Sequence, residues 1–218
     1  PLTTGLVNGR GVVSRSRNRR GRLYTSSVSR RRAANPPHPH RHLVRGWLLA
    51  AGLLLVAIVA TPYLAKEVHN RSVASRMVSL EPLILEHATA AGLRSDLVRA
   101  VVRAESGGDP RAVSPVGARG LMQVMPDAHA DARRIAELPD GDLFDPAYNL
   151  RVGTTYLAHL MDRVDGDPRL AVMAYHMGPT RVAELRRQHP SLSSRELAAR
   201  FAGPQTRAYL KQVMAMLE

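Results

Sequence analysis

The hydrophobic and polar positions of this chain fall into three regimes. In residues 1–45 almost no apolar residue recurs at a helical or strand period. This Arg-, Ser- and Gly-rich stretch runs into Pro36-Pro37-His38-Pro39-His40, a composition that predicts a disordered tail. Residues 46–65 read GWLLAAGLLLVAIVATPYLA, 20 residues without a charge. A helix of that length spans about 30 Å, the hydrocarbon thickness of a bilayer. Trp47 and Tyr63 stand near its two ends, where interfacial aromatics favour headgroups, and Pro62 marks a place where a helix can stop at low cost. From residue 66 onward, helical periodicity alternates with Pro and Gly punctuation. Residues 66–79 are polar and form a stem, and residues 80–218 form the folded domain.

Within that domain Leu80, Leu83, Ile84 and Ala88 mark a first helix. Leu97, Val98, Val101, Val102 and Glu105 mark a second, begun at Ser95 or Asp96 and ended by Gly107-Gly108. A loop leads to Gly120, a short helix is expected from Leu121, and another from Asp127 to about Leu138. Asp145-Pro146 and Asp167-Pro168 each pair an N-cap with a proline at the first helical position. The helices they open run to about Arg163 and to Gly178-Pro179. Ser193 to Glu196 has the form of a capping box, and Gly203-Pro204 opens a last helix. No strand stands out, so the domain is expected to be all-α, with seven to nine helices.

Charge sharpens this division. Eleven arginines and no acid lie in residues 1–46, whereas the whole chain holds 31 Lys and Arg against 18 Asp and Glu; residues 47–218 therefore carry 20 against 18. The net +13 belongs to the tail, which argues against nucleic-acid binding by the folded part and for contact with anionic lipid. The positive-inside rule places the N-terminus in the cytoplasm and residues 66–218 beyond the cytoplasmic membrane, with residues 46–65 as a single-pass anchor. A signal peptide cleaved after Tyr63-Leu64-Ala65 is the rival reading. There is no cysteine, which excludes disulfides, thiol nucleophiles and Cys-based zinc sites. His38, His40 and His42 read as part of a solvated tail rather than a metal site.

Glu105 is the sharpest chemical candidate. It follows Val98 and Val102 by seven and three positions, so it shares their apolar face. A carboxyl facing a partly apolar cleft is harder to ionise, and a raised pKa suits a general acid near neutral pH. A surface carboxylate at a helix end is the plainer alternative.

Four blocks around it resemble the lytic transglycosylases with a lysozyme-like catalytic domain. They are Ala104-Glu105-Ser106-Gly107-Gly108-Asp109-Pro110, Gly117 to Pro126 (GARGLMQVMP), Leu143 to Leu150 (LFDPAYNL), and Ala171 to Pro179 (AVMAYHMGP), with a looser match at Gln205 to Leu210. The resemblance implies a goose-type lysozyme-like helical fold with Glu105 as the single catalytic acid/base. It places Ser106 in the cleft, holding Glu105 or substrate. It sets Met122 and Gln123 beside the scissile bond, Tyr175 toward the carboxyl, and Tyr209 closing the groove or steadying Tyr175. His176 stands where the family commonly has Asn, which can change affinity or pH optimum. Gln205 stands where it tends to have Glu.

Ordinary glycosidases use two carboxylates. Asp109, Asp127, Asp131 and Asp145 are each explained as turn or helix-start residues, so none is a persuasive partner. The resemblance implies a one-carboxylate reaction instead. It cuts the bond between N-acetylmuramic acid and N-acetylglucosamine in peptidoglycan, leaves a 1,6-anhydromuramyl end, and needs no cofactor or metal. A hydrolytic muramidase on the same fold, or a weakly active peptidoglycan-binding scaffold, remains open. An envelope-machinery partner is conceivable from the resemblance, but no residue identifies one.

Overall fold

The structure is a computed structural model that describes residues 13–17, 23–27 and 40–217. It comprises two units, Pro1–Val59 and Ala60–Glu218.

In the first unit, strand β1 (Val13–Arg17) pairs antiparallel with β2 (Leu23–Ser27), Val13 opposite Ser27 and Arg17 opposite Leu23. This hairpin falls within the tail expected to be disordered, residues 1–45; the remainder of residues 1–39 lies outside the described residues. Backbone groups of a polar segment can satisfy one another across a hairpin without an apolar core. His38 and the side chains of His40 and His42 lie outside the described residues. Helix α1 (His40–Ala90) starts ahead of the expected Gly46. Its apolar stretch is bare: Trp47 is 76% and Leu53 72% exposed. Among the described residues it is the one helix long and apolar enough to cross a membrane, and no part of its apolar window is buried in protein. A core helix of a soluble domain would have the opposite exposure.

In the second unit α1 continues through Pro62 and Pro82 to Ala90, so the expected stop near Pro62 is corrected. Each proline removes one backbone donor, a cost that packing offsets at Pro82. Val73, Met77, Ile84 and Ala88 form a buried stripe at spacings of three, four and seven along the helix, with partly buried Leu80 between them. Packing thus begins at Val73 rather than at residue 80, and the polar stem is helix. Gly92, with φ +67°, ends it, and the Leu93 N–H reaches the Ala88 carbonyl at 2.9 Å, a left-handed helix terminus of the kind glycine favours.

Seven further helices follow: α2 (Ser95–Ser106), α3 (Pro126–Ala136), α4 (Pro146–Arg163), α5 (Pro168–Met177), α6 (Pro179–Gln188), α7 (Ser194–Phe201) and α8 (Pro204–Met214). Their starts follow local chemistry. Asp145 accepts from the Tyr148 N–H, Asp167 from Arg169 and Leu170, and Ser193 with Glu196 closes a reciprocal capping box. Helix α4 packs between α3 and α5, while α5 also meets α6, α7 and α8, and α8 lies on α2. Leu150, Leu157, Leu160, Val172, Met173, Leu210 and Val213 fill the space between them, each such burial worth roughly 1.5–3 kcal/mol. Apart from two isolated bridges, Val113 with Arg119 and Arg119 with Val124, the described part of this unit is all-α. The helix expected from Leu121 is instead a tight turn closed by the Arg119–Val124 pair. Gly120 (φ +73°) and Gln123 (φ +47°) take left-handed backbone there, which a helix cannot accommodate.

Candidate active site

Glu105 lies in the last turn of α2, after Leu97, Val98, Val101 and Val102 have been buried. The apolar face brings its carboxyl inward. Burial pushes its pKa up to about 7, partly opposed by the nearby Tyr209 hydroxyl. Among the described residues no second carboxylate contributes to that shift. In return, burial and then the Glu105 charge hold both Tyr175 and Tyr209 well above the ordinary tyrosine range. The Tyr209 hydroxyl is buried without a closed hydrogen bond. It lies near enough to Glu105 for each to shift the other, short of good hydrogen-bond geometry.

The opposite side is built on the 120–124 turn. Ser106 Oγ donates to the Leu121 carbonyl at 2.8 Å, lies 3.2 Å from that of Val102, and accepts from the Gly108 N–H at 3.1 Å. Its hydroxyl therefore ties α2 to the turn rather than facing outward. The Tyr175 hydroxyl donates to the Met122 carbonyl at 2.8 Å, so it approaches Glu105 while anchored to the same turn. Met122 itself is fully buried, its side chain against Gly153, where a Cβ would meet Sδ at 2.4 Å. The expectation that the Met122 side chain lines the cleft is corrected: its backbone serves the site and its side chain serves the core. Gln123 Nε2 donates to the Ala112 and Gly120 carbonyls at 3.1 and 3.0 Å, which fixes the direction of its amide.

His176 is exposed, yet its ring lies 4.6 Å from that of Tyr209 and its Nδ1 is 3.2 Å from Thr206 Oγ1. Desolvation lowers its pKa, favouring the neutral ring. His176 thus backs Tyr209, while Gln205 is exposed on α8.

Sequence reasoning missed Asn149. It is fully buried in α4; its Oδ1 accepts from the Met122 N–H at 2.8 Å, and its Nδ2 donates to the Arg119 and Leu143 carbonyls at 2.9 and 2.8 Å. A Cβ at Gly120 would meet Asn149 Nδ2 and the Leu143 carbonyl, each at 2.2 Å. Only glycine fits there, for space as well as for φ. The available signal was a carboxamide one residue before Leu150, at a helical position with no capping role. A separate cavity of about 570 Å³, lined by residues including Val164, Arg186, His189 and Ser193, contains none of these groups.

The sequence model of the Transglycosylase SLT domain family matches residues 82–198, more than half of the chain. The chain belongs to this family. Its SLT domain is 33% identical over 121 residues to the soluble lytic murein transglycosylase of Salmonella typhimurium, covering 53% of this chain and 19% of that protein. It is 43% identical over 82 residues to the transglycosylase of Enterobacteria phage PRD1, covering 38% of this chain and 28% of that one. Among solved structures, the lytic transglycosylase Slt of Pseudomonas aeruginosa, an inactive glutamate-to-glutamine mutant, superposes with a TM-score of 0.58 at 30% identity. That match covers 62% of this chain and 22% of the other. The chain thus spans about a fifth of the length of the larger relatives it matches. The SLT fold agrees with the expected lysozyme-like helical domain.

Proposed function

We propose that this SLT domain is a peptidoglycan lytic transglycosylase with Glu105 as its single acid/base. The observation that carries the reading is a half-buried, largely desolvated carboxyl, raised to about 7 with no second carboxylate among the described residues contributing, and two tyrosine hydroxyls beside it. Such a group is protonated in much of the population near neutral pH and can serve as acid and then base. Family membership supports the reaction class. The inactive glutamate-to-glutamine mutant of the Pseudomonas relative supports a glutamate as the essential group.

In the proposed reaction, Glu105 gives its proton to the oxygen linking C1 of N-acetylmuramic acid to C4 of N-acetylglucosamine. The C1–O bond breaks and the N-acetylglucosamine side leaves as an alcohol. The neighbouring N-acetyl carbonyl of the muramic residue shares its electrons with C1. The Glu105 carboxylate then takes the proton of the C6 hydroxyl as O6 bonds to C1 and displaces the carbonyl. A 1,6-anhydromuramyl end results, Glu105 is again protonated, and no water is consumed. The Tyr209 hydroxyl would donate to the carboxylate between the two steps, and the Ser106 and Tyr175 links to the turn would hold the geometry. The Gln123 amide, steadied by two carbonyls, and His176 would border the bound sugars.

We infer the setting from the first ninety residues. The bare apolar stretch of α1 anchors the chain in the cytoplasmic membrane. The eleven arginines before it keep the N-terminus in the cytoplasm, so the SLT domain meets glycan strands outside. The test is mass spectrometry of products released from peptidoglycan by the full chain in detergent, beside Glu105→Gln. Anhydromuropeptides that vanish in the mutant are expected. Reducing ends that vanish would make the protein a muramidase, and identical traces from two folded proteins would reduce it to a glycan-binding module.

A further inference from the structure

Helix α1 meets α2 where α2 ends, two residues beyond Glu105. A Cβ on Gly107 would lie 3.1 Å from Val73 Cγ2. On Gly108 it would lie 3.2 Å from Arg76 Cβ, 3.2 Å from Met77 Sδ and 3.3 Å from Leu80 Cδ1. Both glycines have left-handed φ, +59° and +76°. The turn that follows the carboxyl therefore rests directly on residues 73–80. Arg76 closes the contact. Its Nε donates to the Gly107 carbonyl at 3.1 Å, and its Nη1 to Ser72 Oγ at 3.1 Å. Carbonyls at a helix C-terminus lack partners within the helix, and a cation there also complements the negative end of the dipole. The family match begins at residue 82, so this clamp comes from outside the matched region.

We infer that Arg76 is a positioning residue, which through the Gly107 carbonyl holds the end of α2 and so keeps the Glu105 carboxyl against Tyr209. The inference rests on Glu105 being the acid. Arg76 acts through geometry: burial and Tyr209, not the Arg76 charge, govern the Glu105 proton. Loosening the turn would let water reach the carboxyl and move its pKa back toward the ordinary range. Displacements of about 1 Å at a reacting group can cost about a hundredfold in rate.

The test compares Arg76→Met, Arg76→Lys and Glu105→Gln in the full chain, with kcat, KM and the pH profile measured on peptidoglycan below the unfolding midpoint of every variant. Arg76→Met keeps the apolar stem on Gly108 and loses the donor. Its kcat should fall about tenfold to a hundredfold at unchanged KM, and the basic limb of the profile should move to lower pH. Arg76→Lys, which can still donate to the carbonyl, should recover most of both. Wild-type kinetics in Arg76→Met beside an inactive Glu105→Gln would overturn the inference and leave the acid assignment standing. An active Glu105→Gln would overturn both. A loss in Arg76→Met that tracks only its folded fraction, with an unmoved profile, would mean a purely structural arginine. If Arg76→Met does not fold, Arg76→Gln, which keeps a polar side chain at this half-exposed position and loses the Nε donor to the Gly107 carbonyl, is read in the same way: a lower kcat with the same shift supports the inference, and unchanged kinetics overturns it.

Discussion

Two walls meet at Glu105 and follow different rules. On the side of the 120–124 turn, polar side chains are spent on the protein itself: Asn149 in three hydrogen bonds, Ser106 between two strands of backbone, Tyr175 on the Met122 carbonyl. On the side of α8, the buried Tyr209 hydroxyl has no closed hydrogen bond and faces an ionisable carboxyl. A saturated network fixes position, and an unsatisfied buried group is available to a charge that comes and goes. The first wall sets where the carboxyl sits; burial raises its hold on the proton, and the second wall partly opposes that rise through Tyr209.

The sharpest way to break this contrast is Asn149→Ala. It strands the Met122 N–H and the Arg119 and Leu143 carbonyls, so the domain should lose about 3–5 kcal/mol of stability by denaturant titration. A loss under about 1 kcal/mol would mean that the turn does not depend on Asn149.

Next is the stability cost of Glu105 itself. Its folded pKa of about 7 exceeds the ordinary 4.5. Below pH 4.5 the carboxyl is protonated in both states and carries no penalty. As pH rises from about 4.5 to about 7, the unfolded chain ionises first and stability is lost. Glu105→Gln should therefore be more stable than wild type by up to about 3 kcal/mol at pH 8, the gain disappearing below pH 4.5. A gain independent of pH would show the carboxyl to be solvated.

Tyr209→Phe should split the two walls. Stability should hold or rise slightly, because the hydroxyl lacks a partner. The kcat should drop about tenfold, and the basic limb of the pH profile should move up as the group that lowers the Glu105 pKa is removed. The smallest effect belongs to Ser106→Ala, about 1–2 kcal/mol in stability, with the pH profile in place.

The sequence made the starts of α4, α5, α7 and α8 legible, because Asp145, Asp167, Ser193 and Gly203-Pro204 act on their own neighbours within one turn. It made Glu105 legible through its register with Val98 and Val102. Helix α6 was not legible: it buries Val182 alone among its ten residues, so periodicity has almost nothing to report. The continuity of α1 past Pro82 was hidden as well, since the groups it packs against there lie on α2 and the turn that follows it. Asn149 shows the same limit at the site: its partner Met122 lies 27 positions away, beyond any local pattern, and Tyr209, far along the chain from Glu105, is legible only through the family resemblance. Met122 shows a further limit, since a run of letters does not distinguish a residue whose side chain is fully buried from one whose carbonyl takes the Tyr175 hydroxyl.

Trp47 is the chain's single tryptophan and sits on the bare apolar stretch of α1. Residues 60–218 contain none, while Tyr156, Tyr175 and Tyr209 crowd around the site. Two optical signals are therefore already separated. Indole emission reports the passage of α1 from water or detergent into lipid and is silent on melting of the SLT domain. Near-ultraviolet dichroism of the tyrosines reports loss of packing in that domain. Insertion and unfolding can be followed in one unlabelled sample without engineering a probe.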